Sequence, residues 1–388
     1  MSATVLRVGF VPLTDCAPLV VAREMGFAAE EGLALELRPA PSWAFLRDLL
    51  LQEDIEAAHM LAPVPVALAL GLGPWGPGME ALQVLSVNGT VVGVSRGLAA
   101  QFSEAGQAFA FGDALGARDA VLAAGPLRVG VPFAFSMHRE LLHRWLGDAP
   151  DLAIRTVPPP MMAEALAAGD IDMFCVGEPW GSVAVDQGVA ELILPGAAIW
   201  RFAPEKVLAA RTGWAEANAD QAGALMRAVW RAGQWLAGAG RRAMAADLLS
   251  RDSYLGRSSD VLERALRDEL IVSPDGHLRQ VSDFINFYDG AATFPWRSQA
   301  AWIGARLALR HGLDPAAAME TAKAVFRSDL YRTHLAGTGA AIPSASSRVE
   351  GALGAATAVG SAEGRLILSP DAFFDGKSFD PDGHLPIS

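Results

Sequence analysis

Cysteine and lysine are both scarce in this chain. The two thiols, Cys16 and Cys175, fit a reducing compartment and are too few for a disulfide framework or a cysteine metal cluster. Among the 31 basic residues the lysines are only Lys206, Lys323 and Lys377. That scarcity draws attention to any lysine in an apolar setting, although an arginine-rich coding bias explains the imbalance equally well. Long apolar runs are missing too, because Gly, Pro or charged residues break each one well short of about 18 residues, so no membrane span is expected. Nor does any Lys/Arg-rich run offset the net charge of −12, which excludes a direct electrostatic footprint for nucleic acid. The opening residues lack a basic region followed by an apolar stretch and a cleavage site. If Met1 is the native start, a cytoplasmic location is expected. Finally, the chain has no Gly-x-Ser-x-Gly, phosphate loop, dinucleotide fingerprint or His-Glu-x-x-His. No catalytic residue, metal site or cofactor is expected, and the chain is not read as an enzyme.

What the 388 residues do contain is room for two domains and a repeated alternation of strand and helix. Strands are expected at Val5–Val11, Leu33–Arg38, Ile55–Met60 and Leu82–Val87, with helices at Ala17–Ala28, Ala44–Leu51 and Val64–Leu70 between them. The pattern returns from Leu127 to Leu194, and such βαβ alternation implies parallel sheets. Between the two blocks, Ala/Gly-rich Gly97 to Gly125 reads as an irregular connector with room for short helices. Helical periodicity follows at Asp220–Leu236, Arg241–Ser250, Asp260–Leu270 and Ser298–His311, while Gly, Ser, Pro and Asp from Thr338 onward suggest an irregular tail. The expected division is one lobe from residues 1–96 plus 210–388 and a second from 97–209. Two open α/β sheets place their strand ends around a shared crevice, where such sheets bind ligands.

Several polar or aromatic residues fall at strand-to-helix junctions bordering that crevice. Helix starts and charge-assisted N–H donors hold small anions. Trp43 follows Ser42, a candidate N-cap; burial of an indole in the core is the alternative. Asn88-Gly89 offers a side-chain amide and a flexible turn, or simply a turn. His138, two residues beyond Ser136, has a capping or structural role as its alternative. Lys206 precedes apolar strand residues, where a lysine commonly snorkels to solvent; in a closed cleft it would neutralise a monovalent anion. His59, Glu178 and Trp180 are further possible cleft-lining residues, with core histidine and helix capping as their alternatives.

Together these motifs resemble the nitrate and bicarbonate solute-binding family of ABC transporters. The resemblance is carried by Gly9-Phe10-Val11-Pro12-Leu13-Thr14-Asp15-Cys16-Ala17-Pro18-Leu19, Ala57-Ala58-His59-Met60-Leu61-Ala62-Pro63, Val157-Pro158-Pro159-Pro160-Met161, Phe174-Cys175-Val176-Gly177-Glu178-Pro179-Trp180 and Pro204-Glu205-Lys206. It implies an α/β, two-lobed fold like the type II periplasmic binding proteins, with additional C-terminal helices. It also implies an anion site made by Trp43, Asn88, His138 and Lys206, with Asn88 standing where a glutamine amide is expected. The implied ligand is nitrate or nitrite. Within the family the chain looks most like the cytoplasmic nitrate/nitrite sensors, which implies a ligand-free complex with an RNA-binding antiterminator. A transporter's solute-binding component is the alternative, and an enzyme related to pyrimidine-precursor synthesis a third reading. Lys206→Ala is expected to abolish anion binding while leaving the fold intact.

Overall fold

The computed structural model describes residues 3–73, 76–107, 109–147, 152–340, 342–362 and 364–383. Two sheets form around interior strands too uniformly hydrophobic to face water on either side, such as Ala57–Leu61 and Met173–Gly177, and helices cover them. The first half of the chain runs β1 (Thr4–Phe10), α1 (Ala17–Glu24), α2 (Phe27–Glu30), β2 (Leu33–Pro39), α3 (Trp43–Leu51), β3 (Ala57–Leu61), α4 (Pro63–Ala69) and β4 (Met79–Asn88). It then continues through β5 (Thr90–Ser95), α5 (Arg96–Glu104), α6 (Ala114–Ala123), β6 (Leu127–Val131), α7 (Met137–Leu146), β7 (Leu152–Thr156), α8 (Met162–Ala167), β8 (Met173–Gly177), α9 (Trp180–Asp186), β9 (Ala190–Pro195) and β10 (Pro204–Arg211).

One sheet has the order β2-β1-β3-β10-β4, extended at its edge by the short strand Ile285–Asn286; the other has the order β7-β6-β8-β5-β9. In the first, β1 is parallel to β2 and β3, whereas β10 enters antiparallel between β3 and β4. In the second, β6 is parallel to β7 and β8, and β5 enters antiparallel between β8 and β9. The chain therefore crosses between lobes twice, at Asn88-Gly89 and along residues 196–203. Sheet membership changes at those points, each N-terminal to the boundaries expected at 96 and 209.

The crossings also explain what the sequence pattern obscured. Thr90–Ser95 continues straight on from β4 after one left-handed residue pair, Asn88 at φ 61° and Gly89 at φ 88°. An Asn-Gly pair ordinarily ends a strand in a turn; here it hands the strand to the next sheet. The short helices allowed for in the connector 97–125 are α5 and α6, whereas the expected helix over 260–270 stops at Leu266, and Glu269–Ile271 becomes a strand.

The C-terminal helices pack back on the first lobe: Ala219–Leu236 lies on α1 and α2, and Arg297–His311 on α4. The tail is more ordered than its composition suggests. Thr357–Ser361 and Gly364–Leu368 form a hairpin, and Phe373 packs against Trp200 and Trp302 at ring distances of 4.9 and 6.1 Å, the two indoles themselves being 4.8 Å apart. Arg144 of α7 lies over that ring and pairs with Asp375 at 2.7 Å, so the tail ties the second lobe to the first. Among the described residues no helix is long and apolar enough to cross a membrane. Cys16 and Cys175 are buried free thiols.

Candidate functional site

Two serine caps fix two of the functional side chains. Ser42 accepts a hydrogen bond from Phe45 N, making Trp43 the first residue of α3, and Ser136 accepts from Arg139 N while donating to Phe133 O, placing His138 in the first turn of α7. Capping of this kind satisfies amides that a helix start leaves free. Lys206 is carried by β10, in register with Leu61 of β3 and Ser86 of β4. Asp15 sits in the single 3-10 turn that follows β1.

These elements converge on five ionisable side chains, each buried: Asp15, His59, His138, Glu205 and Lys206. Lys206 Nζ lies 2.7 Å from Asp15 Oδ2 and 2.9 Å from Glu205 Oε1. His59 Nε2 lies 2.9 Å from Asp15 Oδ1, and His138 Nδ1 lies 3.2 Å from Glu205 Oε1. The Trp43 ring closes one side, 5.4 Å from Lys206 Nζ and 5.6 Å from the His59 ring.

Of these contacts, Lys206 to Glu205 is an aligned hydrogen bond. Both Asp15 oxygens, both nitrogens of His59 and of His138, Trp43 Nε1 and Glu205 Oε2 have no aligned hydrogen-bond partner among the described residues. Their ion pairs are close in distance but off axis. Buried polar atoms are nearly always satisfied in a folded protein, so a concentration of unsatisfied ones marks a ligand site.

Electrostatics sort the five groups. Burial opposes the charge on Lys206, but Asp15 and Glu205 outweigh it and keep the ammonium protonated, raising its pKa. Burial would also raise Asp15, yet Lys206 and His59 hold its carboxyl well below the ordinary range. Glu205 goes the other way, pushed up to about 7 chiefly by burial, with Lys206 opposing. Burial lowers both histidines, His138 further, with Lys206 adding to the effect. At neutral pH the cluster is an Asp15–Lys206 ion pair flanked by two neutral imidazoles and a carboxyl poised to titrate.

The lobes meet around this cluster. Trp180 Nε1 of the second lobe donates to Pro12 O at 3.0 Å, and Thr14 N donates to Glu178 O at 2.8 Å. The Glu178 carboxylate turns into its own lobe, where it accepts from Ser182 N at 3.2 and 3.3 Å. Gly177 allows the close approach, since a Cβ there would lie 2.7 Å from Leu13 Cδ2 and 3.8 Å from both Asp15 Oδ2 and His138 Nε2.

The structure thus gathers Trp43, His138 and Lys206, with His59 beside them, and puts Trp180 at the lobe junction. Asn88 is placed differently. Its amide nitrogen donates to Arg201 O at 2.8 Å and to Asp283 O at 3.2 Å, and its oxygen accepts from Ala203 N at 3.1 Å. That side chain ties the two crossings together, with Gly89 N donating to Phe284 O at 2.7 Å beside it. Asp15 and Glu205 were not singled out from the sequence, although both lie in the motifs that carry the family resemblance. A lysine inside an apolar strand needs a buried counter-charge; that signal is available locally for the adjacent Glu205 but not for the distant Asp15.

Two open α/β sheets joined by two crossing strands, closed over a polar cluster, define the two-lobed solute-binding class. The chain belongs to the NMT1-like family, whose model matches residues 2–250, and its likeness to nitrate and bicarbonate solute-binding proteins is shown by its relatives. It is 35% identical, over 84% of its length and 49% of that protein, to the nitrate import ATP-binding protein NrtC of Synechocystis sp.. The chain spans about half the length of the NrtC relatives it matches. It is 28% identical to the nitrate/nitrite binding protein NrtA of Nostoc sp. over 98% of this chain and 84% of that protein. The crystal structure of the periplasmic nitrate-binding protein NrtA from Synechocystis superposes with a TM-score of 0.83 at 26% identity, covering 98% of this chain and 96% of that one.

Proposed function

We propose that the chain is a nitrate- or nitrite-binding receptor, the solute-binding component of an ABC import system. The observation that carries this reading is Lys206, a cation buried between two lobes beside a tryptophan face and an unsatisfied histidine, in a fold shared along its length with NrtA. Nitrate is planar and accepts hydrogen bonds only. Lys206 Nζ and a His138 N–H supply donors, and the Trp43 face covers the plane. We read the site as binding rather than catalytic.

The cytoplasmic sensor expected from the sequence, which sequesters an antiterminator until nitrate or nitrite arrives, would use the same clamp. Such a switch needs the anion to favour one lobe arrangement by roughly 5.5 kcal/mol to move a population from 1:99 to 99:1. The likeness to a nitrate import ATP-binding protein and to nitrate/nitrite binding proteins favours the receptor reading over the sensor. Fractionation of the tagged protein separates the two, with recovery in the cytosol favouring the sensor and recovery outside it the receptor. The ligand class is tested by isothermal titration with nitrate, nitrite, bicarbonate and sulfate. Saturable binding of nitrate or nitrite is expected; silence for both would remove the proposed function.

A further inference from the structure

Nitrate entering this cluster meets a charge problem. Lys206 already stands against Asp15 and Glu205, so its charge is committed before any ligand arrives. An added anion would bring a second or third negative group into a space where the cluster's side chains are almost wholly buried, and like charges repel strongly in such surroundings. Nitrate also has no hydrogen to donate, whereas Asp15 and an ionised Glu205 offer only acceptors.

We propose that anion binding in this cleft is coupled to uptake of about one proton by the Glu205–His138 pair, which makes Glu205 the residue that adapts an acceptor-lined site to an acceptor-only anion. The inference rests on the nitrate reading above. The proton comes from solvent and is held by the pair, whose facing atoms, Glu205 Oε1 and His138 Nδ1, are 3.2 Å apart. Carried on the carboxyl and donated to Nδ1, it fixes the imidazole's own hydrogen on Nε2. That nitrogen lies on the Gly177 side of the ring, where a Cβ would sit 3.8 Å away, and there it becomes a donor for the anion. Carried on the imidazole instead, it makes both nitrogens donors. The two forms bind the same number of protons and titrate as one pair.

The groups around Glu205 support the pair as the site of uptake. Lys206 adjoins it on β10 and stays charged; Asp15 faces it from the turn after β1 and stays ionised. Cys175 on β8 is near enough to feel its charge, and burial drives that thiol well above its ordinary value. His59 on β3 contacts the far oxygen of Asp15. Glu205, held at about 7, is the group whose ionisation lies nearest neutrality, and an arriving anion raises it further.

Nitrate titrations of the full chain in phosphate, HEPES and Tris buffers test this, because the observed enthalpy varies with buffer ionisation enthalpy in proportion to protons taken up. About one proton per nitrate is expected at pH 8, falling toward zero near pH 5, with affinity dropping close to tenfold per pH unit above about 7. Glu205→Gln is expected to abolish the uptake and flatten the pH dependence. Nitrate binding by the wild-type chain without proton uptake at pH 8 overturns the proposal, as does full uptake in Glu205→Gln. Absence of nitrate binding at every pH overturns the anion reading itself and is thereby distinguished from failure of the coupling alone.

Discussion

His138 Nδ1 of α7 lies 3.2 Å from Glu205 Oε1 of β10, a contact between the second lobe and a strand of the first sheet. It exists only while the lobes are together. The same holds for the Trp180 to Pro12 and Thr14 to Glu178 hydrogen bonds. In the proposed clamp, lobe closure assembles the cluster, and contacts remote from the anion contribute to how long it is held.

Trp180→Phe keeps most of the ring's packing and removes the N–H donated to Pro12 O. A net hydrogen bond of about 1 kcal/mol corresponds to roughly a fivefold change, and such losses fall mainly on dissociation. Stopped-flow measurement is expected to show nitrate leaving about five times faster, with association nearly unchanged. An unchanged dissociation rate would mean that this bond forms equally in the open state.

Lys206→Ala is expected to abolish nitrate binding, but the structure adds a cost that the sequence did not reveal. Without the ammonium, Asp15 and Glu205 are buried carboxylates lacking their cation. Breaking one side of a buried ion pair costs about 3–5 kcal/mol. Chemical denaturation at neutral pH should show that loss, and Asp15→Ala in the same chain should restore part of it. Full wild-type stability in Lys206→Ala would contradict the buried pair.

Glu178 provides a stability test outside the coupled cluster. Burial raises its carboxyl from 4.5 to about 7, so the folded state binds more protons than the unfolded state between those values. Its contribution to stability is therefore present below the lower value and lost as pH rises through the upper one. Glu178→Gln removes that titration and should gain on the wild type by up to about 3 kcal/mol between pH 5 and pH 8. Urea midpoints of both proteins at the two pH values measure the difference; an equal offset at both would show that Glu178 ionises normally.

Gly177→Ala would set a methyl group 2.7 Å from Leu13 Cδ2, at the lobe junction and within 3.8 Å of Asp15 Oδ2 and His138 Nε2. Overpacking here keeps the lobes from closing fully. Nitrate affinity is expected to fall at least about tenfold, near 1.4 kcal/mol, measured by titration. Unaltered affinity would place the anion away from this junction.

Much of the fold was legible because most strands in the first 200 residues carry strong apolar runs, as in Ala57–Leu61 and Met173–Gly177, each wholly buried. What was not legible lies at the crossings. Asn88-Gly89 reads locally as a turn, and only pairing with β8 and β9 makes Thr90–Ser95 a strand. The helices Pro315–Val325 and Ser328–Leu335 are short, and the second presents charge on much of its surface. Lys206 and His138 were visible as polar residues at the edges of apolar elements. Asp15 was not, because its role depends on a lysine nearly 200 positions away. Asn88 was legible as a special residue; its bonds to Arg201, Asp283 and Ala203 depend on segments that no local pattern connects.

The central claim is that the lobes close over an anion at Lys206, and a crystal structure of the chain grown with nitrate tests it most directly. The account predicts planar density within hydrogen-bonding distance of Lys206 Nζ and His138 Nε2, covered by the Trp43 ring. Nitrate bound elsewhere, with Lys206 touching only Asp15 and Glu205, would contradict it.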